Sequence, residues 1–255
     1  MQFSDTHQEM TNALEAGLFT GAVILVARAD RILCQRAYGT LGGTGTAPVT
    51  EETLFDLASL TKVLATTPCW MVLASERPEI LDEVLPRWFP QSPEDKREIS
   101  PRHLLAHRSG LPAWRPYYLY SVPSGARPTF TMEKILTEPL HFSPGQGCLY
   151  SDLGFMTLAF IVEAETGTKM ERVSRERIFG PLGLTEDLMF RPAGEETRTA
   201  RTRGNEPPGL ANDLNARALG GVAGHAGLFG TAKGVAKMAA EILASLTSAR
   251  GFFDQ

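Results

Sequence analysis

The chain has 255 residues, 43% of them hydrophobic and 21% charged, and a formal net charge of -4. This is the composition of an ordinary globular protein, long enough to bury a substantial core. The acidic balance gives no electrostatic reason for a nucleic acid or an anionic membrane as partner, and no apolar run approaches the ~20 residues that span a bilayer.

The segment 1–16 is polar and has no basic stretch ahead of an apolar one. No secretory signal is expected there, and the expected location is cytoplasmic, or periplasmic if an upstream segment has been trimmed. A short amphipathic helix pattern over 5–17 ends at Gly17. Two strand-like runs follow at 21–28 and 31–39, and the Ala29-Asp30 link is short enough for a hairpin. A Gly/Thr-rich loop at 40–46 leads to an apolar helix that starts at Ser59 and should end near Ser75. Residues 78–98 are irregular. Ser100-Pro101 then opens a short helix that stops at Gly110, with serine suited to the N-cap and proline to the first turn. An aromatic, proline-rich loop (111–129) precedes a brief helix at about 131–138. A turn cluster at 143–147 comes before apolar helices at about 153–166 and 170–178. Residues 191–209 read as an exposed loop. Glycines cluster over 220–230, and a last helix should run from Thr231 to about Ser248. No repeat or linker divides the chain, so a single domain over 1–255 is expected. Cys34, Cys69 and Cys148, an odd number at wide spacings, are expected to be buried free thiols.

The chemistry begins at Ser59-Leu60-Thr61-Lys62. Positions i and i+3 of a helix share a face, so the Lys62 ammonium can reach the Ser59 hydroxyl, and a serine needs such a neighbour to become a nucleophile. The chain has 13 serines and 6 lysines, so roughly 0.3 Ser-x-x-Lys matches would arise by chance and one match alone is weak. A serine cap followed by a surface lysine is the plain structural alternative.

Three further segments, in order, make the pattern specific. Leu54 to Lys62 resembles the nucleophile segment of class C β-lactamases, D-Ala-D-Ala carboxypeptidases and their esterase relatives. His103 to Pro112 resembles a helix-and-turn marker of that family. Tyr150-Ser151-Asp152 stands where the family has Tyr-x-Asn, and Gly220 to Phe229 resembles the glycine-rich turn before its late helix. The resemblance covers about 18–248. It implies an α+β, β-lactamase/transpeptidase-like fold, with helices against an antiparallel sheet, and a serine hydrolase acting on small esters, D-Ala-type peptides or β-lactams without a cofactor or metal. Ser59 would be the acylated nucleophile, Lys62 its proton partner and Tyr150 the second acid/base group. An ammonium beside a phenol favours its ionised form.

Two departures follow from the same comparison. Asp152 replaces the usual asparagine. Ionised, it accepts hydrogen bonds but cannot donate one to substrate, and it would hold Lys62 charged, leaving Tyr150 as the main base. No Lys-Thr-Gly, Lys-Ser-Gly or His-Thr-Gly occurs, so the chain looks like the family without its C-terminal third and the sheet is expected to be incomplete. An isolated two-stranded hairpin is marginal, and an open strand edge invites pairing. The expected alternatives are therefore a homodimer or a complementary chain that completes the sheet, and a silent fragment that acts only as a binding module.

Trp114 and Tyr117, in the aromatic loop, could line a substrate pocket; a satellite cluster under the loop is the alternative. His103 and His107 have the i, i+4 spacing of zinc ligands, but no Glu follows His103 and no third ligand is apparent, so a structural reading is expected. The same holds for His225. The late glycines match no phosphate-binding loop, and there is no Gly-x-Ser-x-Gly elbow.

Overall fold

The computed structural model describes residues 3–28, 31–42, 45–247 and 252–254. Helix α1 (Ser4–Glu15) leads into strands β1 (Gly21–Arg28) and β2 (Arg31–Gly39). These pair antiparallel from Gly21 opposite Gly39 to Arg28 opposite Arg31, with one irregularity at Val26/Ala27. The link at 29–30 lies outside the described residues. Tyr38 Oη contacts His7 Nδ1 at 3.1 Å, which fastens α1 to β2. Among the described residues β1 pairs with β2 alone, so this sheet has two strands.

A second sheet went unforeseen. Strands β3 (Phe55–Asp56), β4 (Leu188–Phe190) and β5 (Leu228–Gly230) pair antiparallel in the order β3-β5-β4. Strands of two or three residues are too short for alternation to show. Their importance is positional: β3 ends three residues before Ser59, and β5 carries the end of the glycine-rich turn.

After Ser59 the chain makes a π-helical turn at Lys62–Thr66 and continues as α2 (Thr67–Glu76). Such turns widen a helix locally and often mark functional sites. Short 3-10 turns fill 78–98, and α3 is Pro101–Leu105. Helices α4 (Arg127–Thr137), α5 (Asp152–Thr166) and α6 (Met170–Ser174) follow. A further short helix, α7 (Leu214–Ala218), sits ahead of the glycine turn, and α8 (Ala232–Thr247) comes last.

The core lies among the helices. In α5, Leu153 to Ala159, Ile161 and Val162 are all buried, as expected of a helix apolar all round that serves as a central post. Trp70 of α2, Met170 and Val173 of α6 and Ile178 and Phe179 pack in the same cluster. Each fully buried side chain of this size contributes about 1.5–3 kcal/mol. The cysteines are free, but only Cys69 is buried as expected, and burial pushes its thiol up to about 12. Cys34 is half-buried and Cys148 exposed.

Candidate active site

Ser59 sits at the mouth of a turn that the sequence around it holds under strain. Ala58 adopts φ +45°, left-handed for a residue with a side chain, at a cost of roughly 1–2 kcal/mol. Asp56 holds this turn: its Oδ1 accepts the Ala58 N–H at 2.8 Å and its Oδ2 accepts the Asn212 N–H at 2.5 Å. The first contact is an Asx turn, in which a carboxylate bonds the backbone two residues on. That local signal was present in Phe55-Asp56-Leu57-Ala58, although the contact with Asn212 was not.

Lys62 lies one turn into the helix and is 2% exposed. Its Nζ donates to Ser59 Oγ at 3.1 Å and to the His225 carbonyl at 3.1 Å. It also pairs with Asp152 Oδ1 at 2.7 Å, an ionic contact outside good hydrogen-bond angles. Asp152 reaches this point because Ser151 is the N-cap of α5, accepting the Gly154 N–H at 3.0 Å and donating to the Pro112 carbonyl at 2.7 Å. In Tyr150-Ser151-Asp152 the central residue is thus the cap, with a candidate site residue on either side. Tyr150 is half exposed, and its ring stacks on His107 at 4.5 Å and faces Lys62 Nζ at 4.8 Å.

The glycine-rich turn closes the other side. Gly224 and Leu228 are pinned to the Lys62 helix: Thr66 Oγ1 donates to the Gly224 carbonyl at 2.6 Å, and Thr61 Oγ1 accepts the Leu228 N–H at 3.1 Å. Successive turns of one helix face thus hold the loop, with the His225 carbonyl between them on Lys62.

A pocket of about 360 Å³ opens at Ser59, lined among others by Trp114, Tyr118, Asp152, Arg203, Asn212, Asp213 and His225. Trp114 and Asp152 therefore belong to it. Tyr117 does not, and its expected role is corrected: its side chain is buried and donates to Glu138 at 3.1 Å, and burial together with Glu138 pushes its phenol strongly upward. The 3-10 turn at 117–119 points the next residue, Tyr118, into the pocket instead. Arg203 was missed. Its Nε donates to Asn212 Oδ1 at 2.6 Å, and among the described residues its guanidinium forms no ion pair. A larger cavity, about 680 Å³, lies between β1 and α8 and includes neither Ser59 nor Lys62.

The histidine pair is structural. His103 closes a capping box, its Nδ1 accepting the Ser100 N–H at 3.3 Å. His107 lies past the helix end at φ +57° and accepts the Ser151 N–H on Nδ1 at 3.1 Å. Burial and then the charge of Lys62 lower its pKa, against Asp152, which suits a neutral acceptor. Asp152, Asp213 and His225 bring potential metal-ligating atoms within 4.8 Å of one another. A cation there would meet the Lys62 ammonium and compete with the His225–Asp213 bond, so the donor set does not suit one.

The sequence profile described as Beta-lactamase matches residues 7–251. The chain belongs to the beta-lactamase family. Among curated relatives, proteins named "putative D-alanyl-D-alanine carboxypeptidase" are 32% identical in Escherichia coli O157:H7 and 31% in strain K12, over 86% and 81% of this chain. The chain spans 59% and 56% of their lengths. Among solved structures, the octameric penicillin-binding protein homologue from Pyrococcus abyssi superposes with TM-score 0.77 at 18% identity, covering 100% of this chain and 59% of that one. A beta-lactamase/D-alanine carboxypeptidase from Yersinia pestis, complexed with citrate, gives 0.70 at 19%, over 91% and 65%. The fold of this beta-lactamase-family chain is accordingly the α+β, β-lactamase/transpeptidase-like one.

Asp56 carries a test of the turn that presents Ser59. Burial raises its pKa, outweighing the hydrogen bonds from Asn212 and Ala58. As pH falls through that raised value the carboxylate gains a proton and loses an acceptor, so any reaction that depends on this turn should decline at a higher pH than for an ordinary carboxylate. Stability has the opposite sign. The folded state binds this proton more tightly than the unfolded one, so Asp56 costs stability as pH rises across the interval. Asp56→Asn should lower kcat about 10–100-fold, the scale of a small misplacement of a reacting group, and remove the acid limb. An identical limb in the variant would rule Asp56 out as its source.

Proposed function

We propose that this chain is a serine hydrolase that forms an acyl-enzyme on Ser59. The observation that carries the reading is the buried Lys62 ammonium, which contacts Ser59 Oγ, the His225 carbonyl and Asp152 at the mouth of a pocket. Asp152 neutralises Lys62, which makes the lysine an electrostatic partner that orients the serine oxygen. Tyr150, beside Lys62, takes the Ser59 proton as Oγ attacks the carbonyl carbon and passes it to the leaving group. Water then attacks the acyl carbon, losing its proton to the Tyr150 oxygen, which delivers it to the departing Ser59 Oγ as the acid is released. Catalytic hydrogen bonds are often unmade without substrate, which accommodates a Tyr150 hydroxyl not yet engaged. Ser59 precedes the helix, where the N-terminal field favours a developing oxyanion.

Small esters and D-Ala-type peptides are the substrates we favour over β-lactams. Asp152 lacks the amide donor that asparagine would offer, and Arg203 supplies a cation at the pocket for a carboxylate-terminated substrate. Incubation with a fluorescent penicillin and with a fluorophosphonate, read by intact mass and peptide mapping, tests the reading. An adduct on Ser59 supports it, and no adduct with either probe removes it. Arg203→Gln should raise KM about 10-fold or more for a D-Ala-terminated depsipeptide, the value of a lost charge-assisted pair, and leave its methyl ester unaffected. Equal effects on both would remove the carboxylate role.

A second reading, a non-catalytic module that binds another copy or a complementary chain, rests on the cavity between β1 and α8. Val23, Leu25, Phe55, Leu57, Val235 and Leu243 line it beside the β1 edge, and such an edge is a template for strand addition. Light scattering that returns a dimer, with no Ser59 adduct, would favour it.

A further inference from the structure

The proposed mechanism does not use the buried side chain of His225. His225 is 1% exposed, its Nε2 lies 2.9 Å from Asp213 Oδ1, and its Nδ1 is buried without a partner. An orphaned buried nitrogen of this kind is destabilising, a cost that an apolar side chain of similar size would avoid. Asp213 is fixed in turn. It caps α7 by accepting the Ala216 N–H at 2.7 Å, and Asn215, two residues on, ties α7 to the aromatic loop through the Tyr118 N–H at 3.0 Å and the Arg115 carbonyl at 2.8 Å. Burial works against the charge of Asp213, but the bond and charge of His225 and the backbone N–H groups prevail, and its pKa is lowered. An ionised Asp213 only accepts, so His225 Nε2 carries the hydrogen and the ring has one orientation.

The backbone of the same histidine completes the chain, because its carbonyl accepts from Lys62 Nζ. We propose that Asp213 and His225 are positioning residues that set the His225 carbonyl, and through it the Lys62 ammonium, against Ser59. This rests on Ser59 being the acylated residue. α7 and the aromatic loop thereby govern the aim of Lys62 through the His225 carbonyl. Thr61 and Thr66 secure the turn at Leu228 and Gly224, so the pair refines a loop already docked. Its removal should cost precision more than folding.

The acceptor is a backbone carbonyl, so no side-chain change deletes it, and effects of substitution report its position. The test uses His225→Leu, Asp213→Ala and His225→Gln, whose amide N–H can still reach Asp213. Two readouts are needed: kcat and KM for a p-nitrophenyl ester, and the extent of reductive methylation of Lys62 by formaldehyde and borohydride. Leu and Ala variants should lose about 10–50-fold in kcat, within the range of a sub-ångström to ångström misplacement, with KM within about twofold of wild type. Lys62 should become more reactive towards methylation in the same two variants, and His225→Gln should restore both readouts. Unchanged Lys62 protection in His225→Leu overturns the proposal whether or not the ester is hydrolysed. Failure of the wild type to hydrolyse ester or label Ser59 strikes instead at the catalytic reading. A kcat loss that follows melting temperature equally in all three variants would reduce the pair to a structural prop.

Discussion

Lys62→Met is expected to abolish acylation of Ser59 and to destabilise the protein at the same time. The Ser59 oxygen would lose its donor, the His225 carbonyl would lose its partner, and Asp152 would be left with no counter-charge. Removing one member of a buried pair costs about 3–5 kcal/mol, and the lower end applies here because the Asp152 side chain keeps 18% of its exposure. The rate of fluorophosphonate labelling should fall by at least about 10³, since both an electrostatic and an orienting contribution vanish. The two effects are separable. Lys62→Met with Asp152→Asn removes the unpaired charge, so the urea midpoint should recover while labelling stays lost. If labelling returns with stability in the double variant, Lys62 supports only the fold.

Gly224→Ala should be severely damaging. A Cβ at 224 would stand 1.9 Å from the Phe155 carbonyl oxygen and 2.9 Å from Ala159 Cβ. Both belong to the α5 post, so neither can yield cheaply. The φ of Gly224 is not left-handed, and the requirement is for close approach of two backbones. A cost above about 4 kcal/mol is expected, or a Tm lower by roughly 10 °C. If the chain still folds, the turn must move outward, carrying the His225 carbonyl off Lys62, and labelling should fall with it. Gly125→Ala, with no atom within 4 Å of its Cβ, is the control and should melt like wild type. Equal melting of the two variants would show that the turn is not docked as described.

The parts of the site legible in the sequence were those with local spacing. Ser59 and Lys62 share a helix face, and Tyr150 and Asp152 flank a cap, so a few adjacent letters carried the geometry. Ser100-Pro101 read correctly for the same reason. What escaped depends on contacts between distant segments: Asp56 meets Asn212, and Asp213 meets His225, through folds of the chain that no period records. The strands of the second sheet are shorter than one alternation. Ala58 and His107 take left-handed conformations that sequence reading assigns to glycine. Tyr117 and Tyr118 were exchanged because a loop without periodicity does not say which of two neighbours faces inward. The His103 and His107 spacing suggested one face, but the helix ends before the second histidine.

The reach of the Lys62 contact also sets when a nascent chain could first become reactive. Lys62 and the carbonyl it donates to are 163 residues apart, so the serine is translated long before the turn that aims its partner exists. At about 5–20 residues per second, the interval is roughly 8–30 s. Contacts of such separation form late in folding as well. Until that turn is made, Ser59 would lack the aimed Lys62 contact on which the proposed chemistry rests.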